Sequence, residues 1–369
     1  MKIPQFDLTR QYERIEPEIE GALHHVLRSG QFILGPEGEA FEAECAAYLG
    51  VAHAIGVGSG SDAIKLTLQA LGVGPGTEVI TPAFSFVASA TAVLEVGARP
   101  VFVDVEPATL TLDPDRVAVA ITPRTRVILA VHLYGLPAAM GSLRVLAEAR
   151  GVHLVEDAAQ AFGATLGGRP VGGHGRAAAF SFYPTKNLAA YGDAGLVTTT
   201  DAALAGHLRR ARNHGQSRKY RHDEVGWTAR LDELQAAILR VKLRHLPEWT
   251  RARQAIAARY GAGLDGLPVV LPAERPGATH VFHQYTIRTP RRDALAAHLT
   301  AAGIGTACHY PLPIPAQPLF RDLGYDATPF PAAWAAAREV LSLPCFPELR
   351  SDEIDTVIDA VRGFLEGDP

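Results

Sequence analysis

Between about residues 50 and 200, short β-rich runs alternate with helical stretches, and this alternation restricts the possible folds more than any other feature of the chain. The runs are Ala54–Val57, Glu78–Thr81, Pro100–Val103, Val127–Val131, His153–Glu156, Ala178–Phe182 and Leu196–Thr199. Most are unbroken apolar segments, the pattern of strands buried on both faces of a largely parallel sheet. Strands that alternate with helices predict an open α/β sheet, and such a sheet binds ligands at the carboxyl ends of its strands. After Asp201 the pattern changes. Leu231–Leu246 reads as a long helix, interrupted at Pro247 and resumed over Trp249–Tyr260. A short strand at Gln284–Arg288 follows, with helices at Ala294–Ala302 and Ile354–Phe364. At 369 residues the chain exceeds one compact core. The expected division is an N-terminal helix and arm over 1–34, a large α/β domain over 35–245, and a small α+β domain over 246–369.

Composition excludes several classes of function. Net charge is −4 with no basic stripe, which argues against nucleic acid as a partner. No apolar run approaches the roughly 18 residues a membrane span requires, and Met1–Arg10 carries no apolar signal core. Cys45, Cys308 and Cys345 are odd in number and far apart. They suit neither a disulfide framework nor a metal site, so no metal is expected and the compartment expected is a reducing cytoplasm.

Three motifs fall at strand ends. Gly56-Val57-Gly58-Ser59-Gly60-Ser61-Asp62-Ala63 lies between a strand and the apolar helix Ile64–Leu71. Glycines let backbone amides approach an anion, and a helix N-terminus adds partial positive charge. The same segment also reads as a ligand-free turn capped by Ser61 or Asp62. In Val155-Glu156-Asp157-Ala158-Ala159-Gln160 an apolar strand ends in an acid, which would point into a ligand crevice or cap a following helix. Ser181-Phe182-Tyr183-Pro184-Thr185-Lys186-Asn187 puts a lysine just after a strand, where a lone lysine is ordinarily a solvated charge. Its company changes that reading. Asp157 precedes Lys186 by 29 residues, the length of one strand–helix–strand crossover, so both reach the same sheet edge as the glycine turn. An anion cradle, a carboxylate and a lysine form a complete set for pyridoxal 5′-phosphate (PLP). Amides and hydroxyls hold its phosphate, the carboxylate keeps its pyridine nitrogen protonated, and the lysine forms a Schiff base with its aldehyde. Gln160, one turn past Asp157, can reach the ring oxygen O3′, and Phe86 can stack on the ring or simply pack in the core.

These motifs, with Arg212-Asn213-His214-Gly215, Arg230-Leu231-Asp232-Glu233-Leu234-Gln235-Ala236-Ala237 and Ser29-Gly30-Gln31-Phe32-Ile33-Leu34-Gly35-Pro36, closely resemble the DegT/DnrJ/StrS family of sugar aminotransferases. The resemblance runs in order along nearly the whole chain. It implies a fold-type-I PLP transferase with a mostly parallel seven-stranded sheet, and a homodimer with active sites at the subunit interface. By the same resemblance Lys186 is the Schiff-base lysine, Asp157 the pyridine-nitrogen partner and Gln160 the O3′ partner. Gly60, Ser61 and Ser181 match phosphate ligands, Phe86 the ring-stacking residue, and Asn213 a residue reaching the neighbouring subunit's cofactor phosphate. The substrates implied are L-glutamate as amino donor and a nucleotide-linked (dTDP- or UDP-) keto-deoxysugar as acceptor. The chain departs from the family at Gly226-Trp227-Thr228-Ala229-Arg230, with Trp and Thr in place of Tyr and Asn, and in the ending of His309–Gln317. Both stretches lie where the family holds its sugar. Arg230, read as opening a helix and therefore wanting an anionic partner, is a candidate substrate residue. So are His309 and Tyr310, beside the stiff segment Pro311–Pro318; the same residues also read as packing at the domain interface, with Arg230 in a structural salt bridge. The rival readings are a pyridoxamine-phosphate sugar dehydratase, which Lys186 opposes, a non-enzymatic PLP-binding regulator, and a nicotinamide dehydrogenase resting on the glycine turn alone.

Overall fold

The computed structural model describes residues 2–367; Met1 and Asp368–Pro369, at the ends of the first and last expected domains, lie outside the described residues. Helices α1 (Leu8–Ser29) and α2 (Pro36–Leu49) precede the sheet. Next come β1 (His53–Val57), α3 (Gly60–Ala70), β2 (Glu78–Pro82), α4 (Ala88–Glu95), β3 (Arg99–Val103), α5 (Pro114–Ala120), β4 (Thr125–Val131), α6 (Met140–Arg150) and β5 (His153–Asp157). A small hairpin, β6 (Thr165–Leu166) and β7 (Arg169–Pro170), leads to β8 (Ala177–Ser181), β9 (Gly195–Thr199) and α7 (Ala202–Ala211). An exposed hairpin of β10 (Gln216–Arg218) and β11 (Arg221–His222) then leads into α8 (Glu233–Leu264). The C-terminal part holds β12 (Ala278–Thr279), β13 (Tyr285–Arg288), α9 (Arg292–Ala301), α10 (Pro318–Asp322), α11 (Pro331–Glu339), β14 (Val340–Leu343) and α12 (Ser351–Glu366).

The seven-stranded sheet has the order β1-β9-β8-β5-β4-β2-β3, so all seven expected strands are present. The pairs β8–β5, β5–β4, β4–β2 and β2–β3 are parallel, whereas β9 runs antiparallel to both of its neighbours. The apolar runs are unbroken because both faces are covered. Val127 and Leu129 of β4 join a core with Ile64, Leu66 and Leu204 on one side. Ile128 and Ala130, pointing the other way, pack with Met140 and Leu143 of α6.

Three features differ from the sequence reading. The connection from β5 to β8 carries the β6–β7 hairpin where a crossover helix was expected. The glycine turn is capped by Ser59, whose hydroxyl accepts from the Asp62 amide at 3.0 Å, not by Ser61 or Asp62. Pro247 does not interrupt the long helix: α8 is continuous for 32 residues and crosses position 245. The proline removes one amide donor, but buried Leu246, Trp249, Ile256 and Tyr260 hold the helix in place on both sides. Beyond Pro247, α8 packs with β13, β14 and α12 around Tyr260, Tyr285, Leu341 and Val357, a core separate from the two at the sheet. At its other end, buried Glu233 accepts from the amides of Gly35, Glu37 and Gly38 at 2.8–3.1 Å, tying the start of α2 to α8. A Cβ on Gly35 would lie 2.9 Å from Glu233 Oε2 and would push that carboxylate away from the amides it binds.

Candidate active site

A cavity of about 460 Å³ opens at the carboxyl ends of the parallel strands, lined by Gly60, Ser61, Asp157, Gln160, Ser181 and Lys186 among others. Its floor is the N-terminus of α3. The first amides of a helix have no intrahelical acceptor. Ser59 takes the Asp62 amide with its side chain and the Ala63 amide with its carbonyl. The amides of Gly60 and Ser61 are left at the cavity wall beside the Ser61 and Ser181 hydroxyls. A Cβ on Gly60 would lie 2.6 Å from the Cβ of Ser181, so only glycine lets the helix terminus meet the end of β8. Amides, hydroxyls and helix dipole together can receive a phosphate.

Asp157 is the last residue of β5 and is buried. Its carboxylate accepts from Ser89 Oγ at 2.8 Å and from the Ala159 amide at 3.2 Å. Burial raises its pKa above the ordinary carboxylate value, and the Ser89 bond, the Ala159 amide and the positive charge of Lys186 only partly oppose this. Such a carboxylate favours a cationic ligand group that restores its charge. Lys186 follows β8, its backbone amide bonded to the Tyr183 carbonyl at 2.8 Å. Burial lowers its amine pKa from 10.5 to about 8, against the opposing pull of Asp157.

The remaining residues expected at the site divide into two groups. Gln160 accepts from the Tyr134 amide at 2.6 Å and donates to Tyr310 Oη at 3.1 Å. His309 shares a hydrogen bond with Ser342 Oγ at 2.8 Å, and burial lowers its pKa to about 4. Phe86, half exposed, stands 5.9 Å from the Tyr310 ring. All four line the cavity. Asn213 and Arg230 do not. They pair with each other, Arg230 Nη1 donating to Asn213 Oδ1 at 2.9 Å. Arg230 precedes the N-cap Asp232 and so does not open α8, which removes the helix-dipole argument for an anionic partner. Among the described residues it forms no ion pair, and its side-chain contact is the neutral Asn213 amide. Sequence reasoning missed Ser89, which holds Asp157, and buried His283, which lines the cavity. Neither sits in a strand-end motif, so no local pattern marks them.

The family model for DegT/DnrJ/EryC1/StrS aminotransferases matches residues 13–362. The chain belongs to that family. Over 366 residues it is 50% identical to a dTDP-3-amino-3,4,6-trideoxy-alpha-D-glucose transaminase of Streptomyces venezuelae, covering 99% of this chain and 97% of the relative. A pleiotropic regulatory protein of Geobacillus stearothermophilus is 49% identical over 99% of each chain. The X-ray structure of S. venezuelae DesV in complex with a ketimine intermediate superposes with a TM-score of 0.98 at 49% identity, covering 100% of both chains. The chain is therefore an aminotransferase of the fold-type-I architecture, and its cofactor is PLP. The residues lining the cavity fit that cofactor: an amide-and-hydroxyl cradle, a buried carboxylate, and an amine whose pKa is near neutrality.

Proposed function

We propose that the enzyme transfers an amino group from L-glutamate to a nucleotide-linked keto-deoxysugar, with a dTDP or UDP carrier, using Lys186 to hold the cofactor. The observation that carries this reading is the meeting of the Lys186 amine, the Asp157 carboxylate and the α3 terminus in one cavity. When bound, PLP supplies an electron sink that makes the substrate C–H bond acidic. The amides of Gly60 and Ser61 with the Ser61 and Ser181 hydroxyls anchor the phosphate, Asp157 holds the ring nitrogen charged, Gln160 faces O3′, and Phe86 covers the ring. With its pKa near 8, the Lys186 amine could take the proton from the donor's Cα and would deliver it to the cofactor carbon C4′, acting in turn as general base and acid. The relative named a dTDP-sugar transaminase supports the sugar acceptor.

His309 and Tyr310, which line the cavity just before the stiff segment Pro311–Pro318, are assigned to the sugar nucleotide. Asn213 and Arg230, turned away from the cavity of their own chain, are assigned to the site of a second copy in a cytoplasmic homodimer. The same reading divides the chain at residue 245 into the large and small domains, with 1–34 as an arm. One relative carries a regulatory name, and a purely regulatory role predicts cofactor binding without turnover. Assaying nucleotide-linked 3-keto and 4-keto sugars with glutamate decides between them. Formation of 2-oxoglutarate and amino sugar supports transfer, and no turnover with any acceptor supports regulation.

A further inference from the structure

His309 is gripped from several sides. Its segment docks on β14: the Ala307 amide donates to the Ser342 carbonyl at 3.2 Å, and the Ser342 amide to the Ala307 carbonyl at 2.8 Å. Two residues on, the His309 carbonyl accepts from Tyr134 Oη of the loop after β4. The next side chain is held as well, Tyr310 Oη accepting from Gln160 Nε2 at 3.1 Å. The imidazole itself meets Ser342 Oγ through Nδ1 at 2.8 Å, and that hydroxyl lies 2.8 Å from Thr286 Oγ1. Thr286 faces Ser342 across the β13–β14 pair, and both are buried. With Nδ1 taken, Nε2 is the ring nitrogen left for the cavity that His309 lines.

Counting hydrogens gives this chain of contacts a direction. Burial, and after it the positive charge of Lys186, keeps the imidazole neutral at neutral pH, so the ring carries one hydrogen. Each hydroxyl carries one as well. Two arrangements satisfy both contacts. In the first, His309 Nδ1–H donates to Ser342 and Ser342 donates to Thr286. The buried Thr286 hydrogen then has no protein acceptor, since its hydroxyl makes no other hydrogen bond among the described residues. In the second, Thr286 donates to Ser342 and Ser342 donates to Nδ1. Both hydroxyl hydrogens are then used, and the ring hydrogen sits on Nε2. A buried donor without a partner is costly, and the second arrangement avoids it.

Resting on the assignment of His309 to the sugar nucleotide, we propose that Ser342, oriented by Thr286, is a positioning residue for the sugar half-reaction: it holds His309 as the tautomer protonated on Nε2, which donates that hydrogen to an oxygen of the bound sugar nucleotide. The hydrogen stays on Nε2 and is shared, so no proton is transferred. A neutral donor at this point accepts a carbonyl, hydroxyl or phosphate oxygen and disfavours a protonated amine.

The test is made on the PLP-loaded enzyme. Isotope-labelled histidine is incorporated, the His309 signals are identified by their loss in His309→Gln, and proton–nitrogen NMR spectra read which ring nitrogen bears the hydrogen. Wild type is expected to show a protonated Nε2 and a bare Nδ1. Ser342→Ala should lose that preference and show both tautomers. It should also raise KM for the keto sugar nucleotide about 3- to 10-fold, the scale of one neutral hydrogen bond. The glutamate half-reaction, followed by cofactor absorbance in stopped flow, should keep its rate. Ser342→Thr, which retains a hydroxyl, should restore both the tautomer and KM. A hydrogen on Nδ1 in wild type overturns the proposal without any variant. An unaltered KM in Ser342→Ala, whatever its melting temperature, makes the serine structural and overturns it as well, and so does equal slowing of both half-reactions. Reading the tautomer requires no turnover, so failure of the transferase reading would be seen separately, as wild-type enzyme inactive towards every acceptor.

Discussion

Replacing Lys186 by Met should make the cofactor-free protein more stable at neutral pH, although it destroys the proposed chemistry. Burial lowers the Lys186 pKa from 10.5 to about 8. At about 1.4 kcal/mol per pH unit, the cost of keeping this amine charged in the folded state is at most about 3.5 kcal/mol. The amine borders an open cavity, and water there screens part of the penalty, so a gain of about 1–3 kcal/mol is expected for Lys186→Met at pH 7. The sign follows from proton counting. The folded-state value lies below the unfolded one, so between about pH 8 and 10.5 the unfolded chain binds more protons and stability rises with pH. Below about pH 8 the full penalty is present. At pH 10 less than about 1 kcal/mol of it remains, so the advantage of Met should nearly vanish. Urea unfolding of cofactor-free wild type and Lys186→Met at pH 7 and pH 10 measures this, and comparing the two proteins at each pH cancels the titrating groups that do not interact with Lys186; Asp157 does interact with it. A variant no more stable than wild type at pH 7, or a gain unchanged at pH 10, refutes the argument that burial sets the amine near neutrality.

Asp157→Asn should retain cofactor but lose several orders of magnitude in turnover, since an amide cannot hold the ring nitrogen protonated; equilibrium dialysis with steady-state rates separates these effects, and normal turnover in the loaded fraction would contradict the role. Glu233→Gln should cost about 2–3 kcal/mol in urea unfolding, because three backbone amides now bond one buried carboxylate and an amide group turns donors towards donors. Mixing Lys186→Ala with Asn213→Ala chains at substoichiometric cofactor should restore affinity if Asn213 serves the partner's site, since each Lys186→Ala chain lends its intact Asn213 to a partner bearing Lys186. Without restoration, Asn213 serves its own chain or none.

Much of the sheet was legible because burial on both faces leaves unbroken apolar runs such as Val127–Val131, and strand ends mark where Asp157 and Lys186 must emerge. The 29-residue spacing does put the two residues at the ends of neighbouring parallel strands, Asp157 ending β5 and Lys186 following β8, but the connection is the β6–β7 hairpin and not the crossover helix that the spacing suggested. Helix boundaries were less legible. Pro247 reads as a break, yet packing far along the chain keeps α8 continuous, and no local pattern reports that packing. The same holds at Arg230, where a helix start read three residues early suggested an anionic partner. Ser89 and His283 reach the cavity through tertiary folding alone: Ser89 from the first turns of α4, and His283 because its segment docks against Gly135. Residues of this kind carry no spacing relative to Lys186 that a sequence could display.

The central claim is that Lys186 is the residue joined to the cofactor, and reduction with borohydride followed by peptide mapping tests it most directly. The loaded, yellow enzyme is reduced, digested and sequenced by mass spectrometry. The expected result is loss of the yellow colour with a phosphopyridoxyl mass on the peptide containing Lys186, and no label in Lys186→Ala. Buried Lys242, whose pKa burial lowers to about 7, is the internal control, being the other lysine with an amine near neutrality. Label on Lys242 or on any other lysine, or glutamate-dependent turnover that survives in Lys186→Ala, would contradict the assignment.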